Sequence, residues 1–480
     1  VAPGRVPGAT SRRAAWGLAL ALVALHAIWA SSGLFEHHIG HPDAFKTAGR
    51  TRAIVETGDW WTIHWNAEPS FAKPPLQYWL GAALLRAGWP LERATRVGSF
   101  VFATGLLLVA AWLARELAPA QPWAVPAAVA ATASVGMLTR LGRSALLDAG
   151  QAFFVALALA SVLAAVRRPR AWLLVGLAVG LGALQKTPAA LAAATVLVAV
   201  LGARGEPSVG AGLTRSPCFR AGAVLALGLL ALWPLIQTLQ HGSAFYSEFF
   251  GGQIFARLRP DAGPGTTSVT RWLGSVHEDA PVTWALLLAA CALVPLVGRL
   301  RRDGPLLGVA LVCIASAALL SLARGPTYPR YALALLAPLA AVAVAAAARL
   351  PLPGVWLPLA GLLLVGANAD GLARARRPGR DASLERALAE RVRATLAPDE
   401  AVVIAASGLR ASAFVFYANL DRPVVTLAEW RGSSRPPGPT RGVARKTDVA
   451  RLRASLGRVS VAAEQGDYAV WSYRPDAPPR

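Results

Sequence analysis

Five clusters of ionisable side chains interrupt an otherwise apolar chain. The first runs His41-Pro42-Asp43, then Gly58-Asp59-Trp60-Trp61, then Lys73-Pro74-Pro75-Leu76-Gln77-Tyr78-Trp79. The second is Arg143-Ser144-Ala145-Leu146-Leu147-Asp148, and the third is Gln185-Lys186-Thr187-Pro188. The fourth is Phe249-Phe250-Gly251-Gly252-Gln253-Ile254-Phe255-Ala256-Arg257, and the fifth runs from Arg324 to Tyr331. Two prolines in succession after Lys73 fix the backbone and deny it regular structure. Asp148 enters an apolar run, where a lone charge is costly and is usually functional or paired. Arg143 lies five positions before it, about one and a half helical turns, so the two do not share one helix face well. Lys186 can contact a phosphate or merely punctuate a helical hairpin. Each cluster also has a bland reading. Trp60, Trp61, Tyr78 and Trp79 suit an interfacial aromatic belt. Lys73 suits a snorkelling lysine, and Arg257 and Arg324 suit loops that meet lipid headgroups.

The apolar runs must position these clusters. The 480 residues are 55% hydrophobic and 15% charged, against roughly 25% charged for a soluble domain. Ala14 to Phe35 carries no formal charge, and comparable runs recur as far as Ala369. Each is near the roughly 20 residues that cross a bilayer as a helix. About eleven spans are expected, near 14–35, 94–114, 122–139, 146–166, 171–185, 188–203, 220–238, 281–298, 304–323, 330–348 and 353–369. The fifth and sixth can equally form one re-entrant pair. The first run is longer than a signal-peptide core, so it reads as a retained span.

The formal charge of +22 is spread over loops and one tail and makes no single basic stripe. That argues against nucleic acid. A cytosolic N-terminus puts Arg12, Arg13, Arg115, Arg167, Arg168, Arg170, Arg204, Arg215, Arg220, Arg299, Arg301 and Arg302 inside, as the positive-inside rule requires. The loops near 36–93 and 239–280, the short turns near 140–145, 186–187 and 324–329, and the tail then face outward. Nearly every unusual polar residue falls in that outward set. Cys218, Cys291 and Cys313 lie in or beside apolar runs and form no disulfide or zinc pattern.

Residues 1–372 read as a membrane domain and 375–480 as a small soluble α/β domain. In the tail, Leu384, Leu388, Val392 and Leu396 recur at helical spacing, with Asp381 as a cap. Short β-prone runs follow at Ala401–Ala406, Pro423–Leu427, Val459–Ala463 and Tyr468–Tyr473, and Thr447 could cap a second helix. The Gly-, Pro-, Ser- and Arg-rich stretch Arg431–Arg445 reads as a mobile loop. The tail shows no catalytic motif.

Taken in order, the clusters resemble the GT-C glycosyltransferases of the protein O-mannosyltransferase and lipid A aminoarabinose transferase type. Asp43, Gly58-Asp59-Trp60 and Lys73–Trp79 match the order of that group's first outer loop. Arg143 and Asp148 look like its Arg-x4-Asp, and Lys186-Thr187-Pro188 resembles its Thr-Lys-Gly-Pro with the glycine replaced. Phe249-Phe250 followed by Arg257 is similar to its loop bearing a phosphate-binding arginine. Arg324 and Tyr331 resemble its basic residue and tyrosine before a late span. The resemblance covers about residues 14–350. Where the group often has Asp-Glu, this chain has Asp43-Ala44 and lacks the second carboxylate there.

The resemblance implies an all-α polytopic membrane protein of the GT-C fold in the inner (plasma) membrane, with its site on the extracytoplasmic side. It implies transfer of a sugar from a polyprenyl-phosphate donor to a protein hydroxyl, lipid A or glycan acceptor. The residues suit that task. A lipid phosphate leaves without a general acid, but its growing charge needs cations, and Lys73 and Arg257, with Lys186 or Arg330, can supply them. Arg143, Arg324 and Tyr331 would complete the substrate-binding set. Asp43 is the candidate general base, and one base without an acid implies inversion. Asp148 would orient an arginine or the acceptor. No His/Asp/Glu cluster has clean metal-ligand spacing, so no metal is assigned and divalent-ion use stays open. The rival class is a transporter or flippase of lipid-linked sugars. Its ionisable groups should lie near the midplane, whereas these gather at one face.

Overall fold

The computed structural model describes residues 9–32, 34, 39–210, 213–255, 279–322, 328–350, 353–375, 377, 381–405, 408–432 and 438–475. The chain divides into two compact units, one of 1–36, 71–81 and 93–377, the other of 37–70, 82–92 and 378–480.

The helices up to Ala375 run in order α1 (Ala9–Ser31), α2 (Pro42–Thr57), α3 (Leu76–Arg86), α4 (Leu91–Leu117), α5 (Ala124–Ala133), α6 (Gly136–Gly142) and α7 (Asp148–Arg167). Then come α8 (Ala171–Gln185), α9 (Ala189–Ala203), α10 (Pro217–His241), α11 (Pro281–Leu293), α12 (Gly304–Leu322), α13 (Leu333–Ala347), α14 (Pro353–Ala367) and α15 (Ala369–Ala375). An apolar helix thus lies at each of the expected positions. Among the described residues, six helices are long and apolar enough to cross a membrane, or seven if α5 and α6, bent by 69°, form one span. The 15-residue helices α8 and α9 reach only about 22 Å at 1.5 Å per residue. The chain is a multi-pass membrane protein.

In the first unit α7 is the centre, buried along most of its length. Close approach between α8 and α10 depends on small residues. A Cβ on Gly176 would strike the Gly222 carbonyl, and one on Gly222 would strike the Trp172 carbonyl. The bend between α5 and α6 also has a cause. The Asp279 carboxylate accepts from Met137 N at 2.8 Å and from Arg140 Nη1 at 3.2 Å. It thereby satisfies a backbone donor of α6 that has no partner within the helix.

The second unit holds both the C-terminal residues and the segment containing α2. Its later elements are α16 (Ser383–Thr395), β1 (Ala401–Ile404), α17 (Ala411–Ala418), β2 (Val424–Thr426), α18 (Leu427–Gly432), β3 (Thr440–Arg445), α19 (Lys446–Leu456), β4 (Val459–Gln465) and β5 (Tyr468–Tyr473). The sheet order is β2-β1-β3-β5-β4, with β2, β1 and β3 parallel and the last two pairings antiparallel. Strand residues alternate between two cores. Val402 and Ile404 join Leu388, Val392 and Phe414 on one face, while Val403 joins Leu452 and Trp471 on the other. The expectation of a mobile loop over Arg431–Arg445 is corrected at its end, where β3 is the middle strand. The N-cap of α16 is Ala382 and not Asp381, whose carboxylate, one position earlier, accepts from Ser383 N at 3.1 Å. Helix α19 starts at Lys446, ahead of Thr447, so Thr447 lies inside it and does not cap it.

Within this unit, α2 packs on α17. Phe45 meets Phe416 and Tyr417 at ring distances of 5.6 and 5.8 Å. Arg52 Nη2 donates to the Phe416 carbonyl at 2.8 Å. A hairpin pairs His64–Trp65 with Glu68–Pro69. Its turn residues Asn66 and Ala67 both have positive φ, the signature of a two-residue type I′ turn. The Asn66 amide then clamps Val424, donating to its carbonyl at 3.0 Å and accepting from its N–H at 2.8 Å.

Candidate active site

Asp148 opens α7, and its carboxylate faces two cations supplied by other elements. Lys186 Nζ, at the C-cap of α8, lies 2.7 Å from Oδ1. Arg330 Nε, in a 3-10 turn at Pro329–Ala332, lies 3.5 Å from Oδ2. All three side chains are largely buried, at 6%, 12% and 16% exposed. Such charges persist away from water only when paired. Aromatic faces add a second layer of support, since Lys186 Nζ lies 4.2 Å from the Tyr331 ring centre and Arg330 4.4 Å from that of Tyr328. A cation over a ring face is attracted by the ring's quadrupole.

One turn further along α7, Gln151 is buried and its Oε1 accepts from both the N–H and the hydroxyl of Thr187, each at 2.9 Å. These bonds hold the start of α9 against α7. The short turn between α8 and α9 is therefore fixed at Lys186 by the carboxylate and at Thr187 by the amide.

The cluster forms one end of a cavity of about 370 Å³. Lys73, Asp148, Gln151, Lys186, Thr187, Arg330 and Tyr331 line it, and its remaining wall is mostly apolar, with Val155, Ala192, Val196, Val312, Leu319 and Leu335. The lining holds three cationic side chains and one carboxylate, a surplus of two positive charges. A cationic end joined to an apolar trough fits an amphiphile with an anionic head.

The stretch just before Lys73 joins an aromatic cluster of the first unit. Phe71 is buried with Trp233, Phe245 and Leu184, and Phe249 and Phe250 pack against them. Phe71 N donates to Glu248 Oε1 at 3.1 Å. The Phe249-Phe250 motif is thus packed beside the residue two positions before Lys73. Gln77 joins the same framework, donating to Ser99 Oγ at 3.1 Å and accepting from Gln185 Nε2 at 3.0 Å. Tyr78, assigned from sequence to an aromatic belt, is fully buried.

The other expected site residues lie elsewhere. Arg143 is buried and donates from Nη1 to the Ala375 carbonyl at 2.9 Å. Asp43 belongs to the second unit, in the first turn of α2. There the His41 ring accepts from Asp43 N at 3.1 Å, and Lys46 Nζ lies 3.6 Å from the Asp43 carboxylate. Arg410 Nη1 holds the Gly40 carbonyl at 3.0 Å and the same guanidinium is paired with Glu385. Burial alone would push the Glu385 carboxyl up, but hydrogen bonds from the Arg410 side chain and backbone outweigh it and hold its pKa below the ordinary value. Arg257 and Arg324 lie outside the described residues. Among the described residues, no group of three or more His, Cys, Asp or Glu side chains is placed to hold a metal ion.

Residues 72–237 match the family described as dolichyl-phosphate-mannose-protein mannosyltransferase, a stretch that includes Lys73, Arg143, Asp148 and Lys186. An undecaprenyl phosphate-alpha-4-amino-4-deoxy-L-arabinose arabinosyl transferase from Pseudomonas aeruginosa is 30% identical over 355 residues, 69% of this chain and 59% of that protein. A second, from Sodalis glossinidius, is 31% identical over 157 residues, 32% of this chain and 28% of that protein. The chain thus spans less than two thirds of the length of either curated relative. The crystal structure of ArnT from Cupriavidus metallidurans bound to undecaprenyl phosphate superposes with a TM-score of 0.71 at 18% identity, covering 95% of this chain and 98% of that one. Its apo state gives 0.70 at 19% identity, covering 97% and 100%. The chain has the fold of these two structures, GT-C.

In this GT-C chain the sequence clusters converge in part. Lys73, Asp148, Lys186 and Tyr331 meet at one cavity, and Arg330 joins them. Sequence reasoning gave Arg330 only an accessory place and passed over Gln151. A signal for Gln151 existed, because it lies three positions after Asp148 and so on the same helix face.

Proposed function

We propose that this chain transfers a sugar from a polyprenyl-phosphate donor to an acceptor of the cell envelope, with inversion at the anomeric carbon, on the extracytoplasmic side of the inner membrane. The observation that carries this reading is the cavity with a cationic head and an apolar trough. The names of the relatives support it, since two are named undecaprenyl phosphate-alpha-4-amino-4-deoxy-L-arabinose arabinosyl transferases and the matching family is described as dolichyl-phosphate-mannose-protein mannosyltransferase.

The trough takes the lipid chain, and Lys73, Lys186 and Arg330 face the phosphate. As the glycosidic C–O bond breaks, negative charge grows on the departing phosphate. Fixed cations in a water-poor site stabilise that charge without reorganising, an effect on the order of several kcal/mol. Asp148 holds Lys186 and Arg330 in place, and Tyr331 supports Lys186. Arg257 and Arg324 add further cations, and Arg143 ties α6 to α15. Asp43 accepts the proton of a hydroxyl acceptor as it attacks. A protein or glycan hydroxyl has a proton to give in this role, whereas a lipid A phosphate, already ionised, attacks without it.

The test is incubation of the purified protein with labelled polyprenyl-phosphate sugars and a panel of envelope acceptors. Sugar transfer with release of polyprenyl phosphate is the expected result. Movement of the lipid-linked sugar across vesicles without transfer would replace this reading with a transporter.

A further inference from the structure

We infer that Gln151 is a phosphate-binding residue, whose amide N–H groups donate to a phosphate oxygen of a polyprenyl phosphate at the point where the head meets the lipid chain. This rests on the polyprenyl-phosphate reading above and deepens it.

The orientation of the amide is set by its partners. A backbone N–H can only donate, so the Gln151 atom 2.9 Å from Thr187 N must be the oxygen. The Thr187 hydroxyl reaches the same oxygen at 2.9 Å. The nitrogen therefore points away from Thr187. Gln151 is 6% exposed, and its Nε2 is buried without a hydrogen-bond partner. A buried unpaired donor is destabilising, which is tolerated where a ligand supplies the acceptor.

The position along α7 identifies the acceptor. Asp148, Gln151 and Val155 follow one another at helical spacing on one face, and all three line the cavity. Asp148 holds the cations Lys186 and Arg330, while Val155 belongs to the apolar wall. Gln151 lies between the two. An oxygen-bearing head seated among the cations, with its chain along the wall, presents phosphate oxygens at that level. A sugar would extend from the opposite side of the phosphate.

The test measures binding of sugar-free undecaprenyl phosphate and of undecaprenol to the full-length protein in lipid nanodiscs, for wild type, Gln151→Met and Gln151→Glu. Met removes the donor at similar size, and Glu keeps the oxygen that accepts from Thr187, which preserves folding where Met does not. Wild type is expected to prefer the phosphate over the alcohol. The variants are expected to lose roughly tenfold or more of that preference, with affinity for the alcohol unchanged. A general packing defect would weaken both ligands together and would overturn the inference. A wild-type preference retained in full by both variants would also overturn it, while leaving the proposed function standing. If wild type does not distinguish phosphate from alcohol, the polyprenyl-phosphate reading itself fails, and the inference fails with it.

Discussion

Lys186 Nζ lies 2.7 Å from Asp148 Oδ1, and neither side chain is more than 12% exposed. Removing Asp148 leaves Lys186 and Arg330 without their carboxylate, and removing Lys186 leaves Asp148 with Arg330 alone; breaking a buried pair costs about 3–5 kcal/mol. Asp148→Asn and Lys186→Met should each lower both stability and sugar transfer. The double variant should lose less than the sum, with a coupling of about 0.5–3 kcal/mol. Unfolding measured across the four proteins gives this number directly. Strict additivity would show that the contact does not organise the site.

Asp43 and Lys46 form a second ion pair, 3.6 Å apart, but both side chains are about 40% exposed (39% and 42%). Exposed pairs of this kind contribute little. If Asp43 is the base, its worth lies in proton transfer. Asp43→Asn should lower turnover on a hydroxyl acceptor by about 10²–10⁴-fold and leave donor affinity unchanged. Lys46→Met should cost less than tenfold. Steady-state kinetics on both variants separates the roles, and equal losses would remove Asp43 as the base.

The spans were legible because a charge-free run crossing lipid needs no knowledge of its neighbours. The partner of Asp148 was not. Arg143 is near in sequence but at the wrong helical angle, whereas Lys186 is 38 positions away and meets Asp148 only through packing of α7 on α8. Strand β3 was hidden for a different reason. Its residues Thr-Arg-Gly-Val-Ala-Arg carry a glycine and two arginines, which read as a loop. The fold neutralises that. Glu400 takes Arg441 through two bonds of 3.0 Å, and the bare Gly442 backbone makes room for the Trp471 indole. The joining of α2 with the C-terminal residues is equally non-local, resting on Phe45 against Phe416 and Asn66 against Val424.

Glu385 makes a pH prediction for the second unit. Its folded pKa is held below the ordinary value by the bonds from Arg410, which exceed the upward push of burial. A depressed carboxyl contributes stability that is present above the unfolded value, about 4.3, and is lost as pH falls through the folded pKa. Melting temperature should therefore drop on acidification below that value. Glu385→Gln should flatten this part of the profile and cost about 1–3 kcal/mol at neutral pH. Arg410 also holds the Gly40 carbonyl, so Arg410→Met should lower turnover as well as stability. An unchanged acid profile in Glu385→Gln would reject the pair as the source.

Gly176 and Gly222 test the packing that carries α8, and with it Lys186. At both positions a Cβ would meet backbone of the facing helix, which cannot rotate away. Small residues at such a crossing let membrane helices approach closely. Overpacking typically costs about 1–3 kcal/mol. Gly176→Ala and Gly222→Ala should each lower thermal stability by that order. They should also reduce transfer, because α8 ends at the lysine that pairs with Asp148. Gly17→Ala is the control, since nothing lies within 4 Å of its Cβ position, and it should be neutral or slightly stabilising because alanine favours the helix. Equal behaviour of all three variants would show that the α8 crossing is loose enough to admit a methyl group, and that Lys186 is held by its side-chain contacts alone.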